Sequence, residues 1–353
     1  MGEEVTFAEL KELAGSIKEQ FVDPYKNDIG ALKKISSETK LQGSDPLTEL
    51  EKLAKILKAY STKLGIICEP SKLHGNYHAA YTELKNYADS LFYLLSLLPL
   101  FTREQGKLYA SYLNEDVFTQ VLGLLNGTEM LCDEICSSSK ENEGDNKDRL
   151  ISVGIIWASC DELCDIVKGG NYGLLSKRIA LSCGLVDDVL EDIHGWLEDP
   201  QLEGADDFLG DDLDSIDELE DGVKKMGIEG DDEEMIEIVK KFLSEWQTKI
   251  KMIKLLLSSF SKSITLTTGK NIPNLGSKLD ELNKLHKQVI LHLDELVSDV
   301  FMSGAAFDED EMGPSIADLN DTLAKMVHII KEISKQDPKK SKWIDVWNNK
   351  YFE

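Results

Sequence analysis

The chain has 353 residues, enough for one large domain or two ordinary ones, and its hydrophobic fraction of 42% excludes global disorder. A formal net charge of −26 predicts repulsion from phosphate backbones and anionic lipid. We find no local basic face in the sequence, so neither direct nucleic-acid binding nor membrane binding is expected. Basic or mixed-charge protein partners, or cations, fit such a chain better.

Helical periodicity runs through almost every segment, and strand alternation is almost absent. A first helix is predicted before Pro24, a short one near 26–40, and a third from Pro46, with Asp45 as its N-cap. A helix is predicted at about 71–98, and the next one ends near residue 139. Further helices are predicted at 149–168, 172–198, 231–262, 275–303 and 315–335.

Three local patterns define where these helices begin and end. Pro99 is predicted to end the 71–98 helix, and "TREQ" at 102–105 has the pattern of a capping box for the next helix. "KGGNYG" at 168–173 predicts a glycine-rich turn between two helices.

The pattern predicts an all-α fold of two antiparallel helical bundles joined by an acidic segment. The alternative is that the two bundles share one core. We expect an N-terminal bundle at 1–198, an acidic linker at 199–230 that is flexible or folds on contact, a three-helix bundle at 231–336, and a tail at 337–353.

The linker belongs to an unusually acidic segment, because residues 198–234 hold 17 acidic residues and two lysines. Apolar residues are spaced through its centre at near-helical intervals: Phe208, Leu209, Leu213, Ile216 and Leu219. One interpretation is a solvated linker with incidental apolar residues. The other is a segment that docks on the chain's own helices or on a partner. Ser215 lies three residues before Glu218, a spacing that acidophilic kinases use, which makes it a phosphorylation candidate.

No metal, cofactor or catalytic site is predicted. Neither the acidic segment nor 308–319 has the ligand spacing of a calcium-binding EF-hand loop. His74 and His78 are interpreted as polar residues near a helix start, and the CxxxC pairs, Cys132/Cys136 and Cys160/Cys164, as small buried residues. Six cysteines in a chain of this length exclude a disulfide scaffold, and the polar first twenty residues predict no signal segment. We therefore expect a reduced intracellular compartment.

Two stretches are distinctive: "IIWASCDEL", with Trp157 three residues before Cys160, and "LKNYADSLFYLLSLLPLFTREQG". Both resemble the cyclin-D-interacting proteins, which are acidic helix-loop-helix-like proteins without a basic region. The order of a helical half, an acidic middle and "EIVKKFLSEWQTKIKMIKLLL" also resembles that family, over about residues 70–335.

This resemblance implies a non-enzymatic, all-helical protein of the nucleus and cytoplasm. Its implied partners are D-type cyclins and helix-loop-helix transcription regulators, with effects on cell-cycle progression and transcription. A partner-binding regulatory protein is thus the leading hypothesis. The alternatives are a helical-bundle enzyme or metal or thiol protein that uses Cys or His in its core, and an acidic chaperone for basic clients.

Overall fold

The structure, a computed structural model, describes residues 5–137, 148–202, 229–263 and 272–353. These residues form helices and no strand, which confirms the all-α prediction. In chain order the α-helices are α1 (Phe7–Ile17), α2 (Ile29–Lys33), α3 (Pro46–Ile67), α4 (Pro70–Leu73), α5 (Tyr77–Arg103), α6 (Ser111–Ser137), α7 (Asp148–Glu198), α8 (Glu229–Ser263), α9 (Leu275–Ser303), α10 (Gly313–Ile333) and α11 (Pro338–Phe352). A π-helical turn, Lys18–Val22, extends α1, and no described helix is both long and apolar enough to cross a bilayer.

The chain divides into two compact units. The first comprises Met1–Leu174 and Pro273–Ser277, and the second comprises Leu175–Ile272 and Lys278–Glu353. Residues 175–198, which the sequence grouped with the N-terminal bundle, therefore belong to the second unit. The predicted tail at 337–353 forms α11, because its apolar side chains are buried: the Trp347 indole N–H donates to the carbonyl of Met252 at 2.8 Å.

In the first unit, α3 and α5 pack side by side around a leucine-rich core. Asp45 caps α3 as predicted, since its carboxylate accepts hydrogen bonds from the backbone N–H groups of Leu47 and Thr48, each at 3.1 Å. The α1 helix packs on both α5 and α6. Between α5 and α6, the buried hydroxyl of Tyr87 lies 2.6 Å from Oγ1 of Thr128.

The prediction that Pro99 ends a helix is wrong. Helix α5 runs through Pro99 to Arg103, although proline removes one N–H from the helical ladder. The next turn still buries Phe101 completely, and this tertiary packing outweighs the lost hydrogen bond. The predicted capping box at 102–105 is also absent: Thr102 remains inside α5, where its hydroxyl donates to the Pro99 carbonyl at 3.0 Å, and α6 begins at Ser111.

The predicted glycine turn is confirmed by a break inside α7 at Gly170, whose φ of 55° and ψ of −160° are non-helical. The following residue, Asn171, connects the break to the rest of the first unit. Its side chain accepts from the N–H of Ala110 at 3.0 Å and donates to the carbonyl of Leu108 at 2.7 Å, and its carbonyl accepts from the Tyr112 hydroxyl at 2.7 Å. The turn therefore also holds the segment that leads from α5 into α6.

The second unit is built from the second part of α7 and from α8 to α11. Side-chain pairs define the directions of its helices. Ser182 pairs with His286, and Trp196 stacks on Phe301, so this part of α7 runs parallel to α9. Helix α8 is antiparallel to α7, as the pairs Lys254–Asp187 and Cys183–Ser258 indicate. Helix α10 is antiparallel to α9, with Lys278 paired to Glu332. Helix α11 is antiparallel to α8, as the pairs Lys340–Phe260 and Trp347–Met252 indicate.

Candidate functional site

The residues that the sequence singled out lie outside the described residues. They are Phe208, Leu209, Leu213, Ser215, Ile216 and Leu219, all within 203–228. Docking by this segment and phosphorylation within it therefore stay predictions. The described helices of each unit carry another surface suited to protein binding.

The histidine pair on the first unit has the geometry of exposed polar residues. His74 and His78 are both exposed, and Nδ1 of His74 lies 2.7 Å from the Tyr77 hydroxyl. Across the part of the chain that the structure describes, no group of three or more His, Cys, Asp or Glu side chains could hold a metal ion.

All six cysteines are free thiols, and four of them are buried. Burial raises the pKa of Cys132 and Cys164, and it raises that of Cys160 to about 12. Burial also raises the pKa of the half-buried Cys136. A thiol is nucleophilic and binds metal as its thiolate, so these four groups have the opposite of the environment that activates a cysteine. Their arrangement agrees with the interpretation of small buried residues.

His286 is the one histidine buried among the described residues. It occupies an apolar stripe of α9, where 1% of its surface is exposed. Nδ1 lies 2.9 Å from the Ser182 hydroxyl, and Nε2 lies 3.3 Å from Oδ1 of Asn283. Burial lowers its pKa to about 4, so the ring is neutral near pH 7. A neutral histidine with both ring nitrogens paired in a helical core has a structural role.

An aromatic patch is exposed on α5 of the first unit. Phe92 is 54% exposed and Tyr93 is 61% exposed, and their rings meet edge to face with centroids 5.7 Å apart. We define Phe92 and Tyr93 as the aromatic patch. Sequence reasoning missed this patch, because "LFYLLSLLPLF" has the pattern of a continuous core segment.

Trp157, one of the residues that carries the family resemblance, is partly exposed on the first part of α7. The Lys58 ammonium lies 5.7 Å from the centroid of its indole ring and pairs with both carboxylate oxygens of Asp161, at 2.6 and 2.7 Å. One lysine thus connects α3 to two successive turns of α7. Trp157 is held at the surface by these contacts.

An aromatic–acidic cleft lies at one end of the second unit and has a volume of about 630 Å³. Its lining residues are Glu191, Asp192, Gly195, Trp196, Asp199, Gln201 and Phe301. The rings of Trp196 and Phe301 stack at an interplanar angle of 26°, with centroids 6.3 Å apart. The two aromatic residues are more than 100 positions apart, so only the parallel packing of α7 and α9 brings them together.

Charge is divided between the two ends of the second unit. Residues 187–202 and 294–311, at the end that holds the cleft, contain six and seven acidic residues and no lysine or arginine. At the opposite end, residues 278–287 and 331–342 together contain eight lysines and four acidic residues. The sequence did not reveal this basic end, because its lysines come from two segments that are separate along the chain.

Comparison with known proteins gives the family. Residues 49–199 match the N-terminal region of the Grap2 and cyclin-D-interacting family, and residues 209–328 match its C-terminal region. The chain is 37% identical over 346 residues to the uncharacterized protein YLR287C of Saccharomyces cerevisiae, covering 98% of this chain and 96% of that protein. It is 25% identical over 310 residues to the uncharacterized protein C22E12.18 of Schizosaccharomyces pombe, covering 86% and 84% of the two chains. These matches confirm the resemblance found in the sequence, and the chain belongs to the Grap2 and cyclin-D-interacting family.

Proposed function

We propose that the protein acts by binding other proteins through its helical surfaces and catalyses no reaction. The aromatic patch carries this proposal. Phe92 and Tyr93 expose more than half of their surfaces side by side on a helix whose other face is buried. Large aromatic side chains dominate the energetics of protein interfaces, and an adjacent exposed pair offers apolar area at low entropic cost.

The partner classes follow from the family. Its description names cyclin-D interaction, and the resemblance of the sequence implies cyclins and helix-loop-helix transcription regulators. We propose that the protein binds regulators of these classes, that it affects cell-cycle progression and transcription in this way, and that it works in the nucleus and cytoplasm.

The test is direct binding between purified proteins. The full-length protein is immobilised and titrated with cyclins and helix-loop-helix regulators of its source organism, with biolayer interferometry as the readout. A double variant, Phe92→Ser/Tyr93→Ser, is expected to weaken binding by roughly a hundredfold or more, the effect of removing an aromatic hot spot.

Leu255→Ser is the matched control, because Leu255 is 54% exposed on α8 of the other unit. It is expected to leave the affinity unchanged. Circular dichroism melts confirm that each variant is folded. The proposal fails if no member of either class binds, or if the double variant binds as tightly as the wild type.

A further inference from the structure

The two aromatic residues of the cleft, Trp196 and Phe301, both line it and are partly exposed. The Trp196 indole N–H donates to the carbonyl of Gln201 at 3.0 Å, so its one hydrogen-bond donor is already used and its ring is held in place. Apart from its two chain neighbours and the backbone of its own helix, no heavy atom lies within 4 Å of a Cβ built on Gly195, so the cleft is open at this residue. A ligand would therefore contact the aromatic ring of Trp196 rather than its N–H group.

No residue that the structure describes forms an ion pair with three of the cleft's carboxylates. Glu191, Asp192 and Asp199 make no ion pair with any residue that the structure describes, whereas the neighbouring Glu198 lies 3.4 Å from His194. A ligand that brings positive charge would therefore gain attraction from three carboxylates without breaking an existing pair.

Other ligand classes fit less well. An anion would meet carboxylates on several sides, and a purely apolar peptide would leave those carboxylates partly desolvated and unpaired. The described carboxylates and imidazoles do not converge in the geometry that a metal ion needs. A cation with a flat, weakly hydrated surface satisfies both the ring faces and the carboxylates.

We propose that the aromatic–acidic cleft binds an arginine side chain from a basic segment of a partner protein. The guanidinium group stacks on an aromatic face while its N–H groups donate to carboxylate oxygens, a combination that lysine does not match. This proposal rests on the proposed function, since it names the chemistry of one partner surface. It assigns the second unit a binding site separate from the aromatic patch of the first.

A short arginine peptide tests the proposal on the full-length protein. A fluorescein-labelled peptide with arginine at alternate positions is titrated with protein and followed by fluorescence anisotropy. Two matched peptides replace arginine by lysine or by citrulline, which keeps the shape of arginine but lacks the charge. The arginine peptide is expected to bind roughly tenfold more tightly than the lysine peptide, and the citrulline peptide is expected not to bind.

Two variants locate the binding site. Trp196→Leu removes the larger ring, and Glu191→Gln/Asp192→Asn removes two exposed carboxylates with little risk to folding. Each is expected to weaken arginine-peptide binding by roughly tenfold or more. The control, Glu12→Gln/Glu19→Gln, makes the same change in net charge with exposed residues of the first unit and is expected to change affinity by less than about twofold.

The outcomes separate the two proposals. Equal weakening by the cleft variants and the control, or equal binding of the arginine and citrulline peptides, would overturn the cleft proposal, because binding would then reflect net charge or shape alone. The Phe92→Ser/Tyr93→Ser variant is expected to retain peptide binding. Loss of cyclin binding in that variant and loss of peptide binding in the cleft variants are therefore independent results.

Discussion

The hydroxyl of Ser182 lies 2.9 Å from Nδ1 of His286, although 104 positions separate the two residues in the chain. Both side chains are buried, and Asn283 lies beside the other ring nitrogen. Burial lowers the pKa of His286 to about 4, with smaller contributions from the positive charges of Lys287 and Arg178. The contact thus joins α7 to α9 through a ring that must stay neutral.

Acid is expected to destabilise the second unit through this histidine. The pKa of His286 in the folded state lies below its ordinary value of 6.5, so the unfolded state takes up the proton first as pH falls. Stability is therefore lost from about pH 6.5 down to about pH 4, by about 3 kcal/mol in total. Urea unfolding across this range measures the loss. His286→Gln is expected to have a shallower dependence on pH, and identical dependences would contradict the assignment.

The break in α7 is expected to depend on glycine at one position only. Gly170 has a φ of 55° and a ψ of −160°, a region open almost solely to glycine, so Gly170→Ala is expected to destabilise by about 2 kcal/mol. Gly173 is helical, and a methyl group there would meet no atom within 4 Å. Gly173→Ala is expected to stabilise by up to about 1 kcal/mol. Denaturant titration compares the two, and equal effects would refute the distinction.

Two buried tyrosines are expected to respond oppositely to loss of the hydroxyl. The Thr128 hydroxyl donates to the carbonyl of Leu124 at 2.8 Å, so the Tyr87 hydroxyl must donate to Thr128. Tyr87→Phe leaves that buried oxygen short of a donor and is expected to cost about 1 kcal/mol. The buried hydroxyl of Tyr172 has no hydrogen-bond partner among the described residues, so Tyr172→Phe is expected to be neutral or stabilising. Thermal melts of the two variants, monitored by circular dichroism, provide the comparison; a larger loss for Tyr172→Phe would reverse the assignment.

The buried thiols are expected to resist alkylation. Burial raises the pKa of Cys132 and raises that of Cys160 to about 12, and both side chains are fully shielded from solvent. Iodoacetamide at mildly alkaline pH is expected to modify them at least about a hundredfold more slowly in the folded protein than in urea, because the thiolate is the reacting form. Peptide mass spectrometry resolves the sites. Rapid modification of Cys160 in the folded protein would show that its helix opens readily.

Helices were predictable from the sequence where local chemistry decides the backbone. Asp45 followed by Pro46 begins α3 as expected, and the glycine-rich turn breaks α7 at Gly170. The prediction at Pro99 was wrong because the free-energy cost of proline in a helix is local, whereas the burial of Phe101 that offsets this cost depends on tertiary packing. Periodicity identifies a helix and its apolar face, but it does not show which other helices pack against that face. The packing of residues 175–198 with the second unit could therefore not be predicted from the sequence.

The candidate surfaces were harder to predict for the same reason. The Trp196–Phe301 stack and the basic end of the second unit unite residues from distant parts of the chain. The sequence instead drew attention to the acidic segment, where composition alone is distinctive. The sequence placed His286 in an apolar stripe of its helix, but it did not predict the pairing of His286 with Ser182.

The separation of acidic and basic ends gives the second unit a permanent electric dipole along its helices. In the field of a charged neighbour, such a body experiences a torque before any contact forms. A basic partner turns the cleft end toward itself, while an acidic one meets the lysine end. This alignment raises the fraction of encounters that begin in a productive orientation, and added salt screens it at separations beyond about one Debye length. The arrangement of lysines and carboxylates along these helices thus influences how fast partners associate as well as which ones bind.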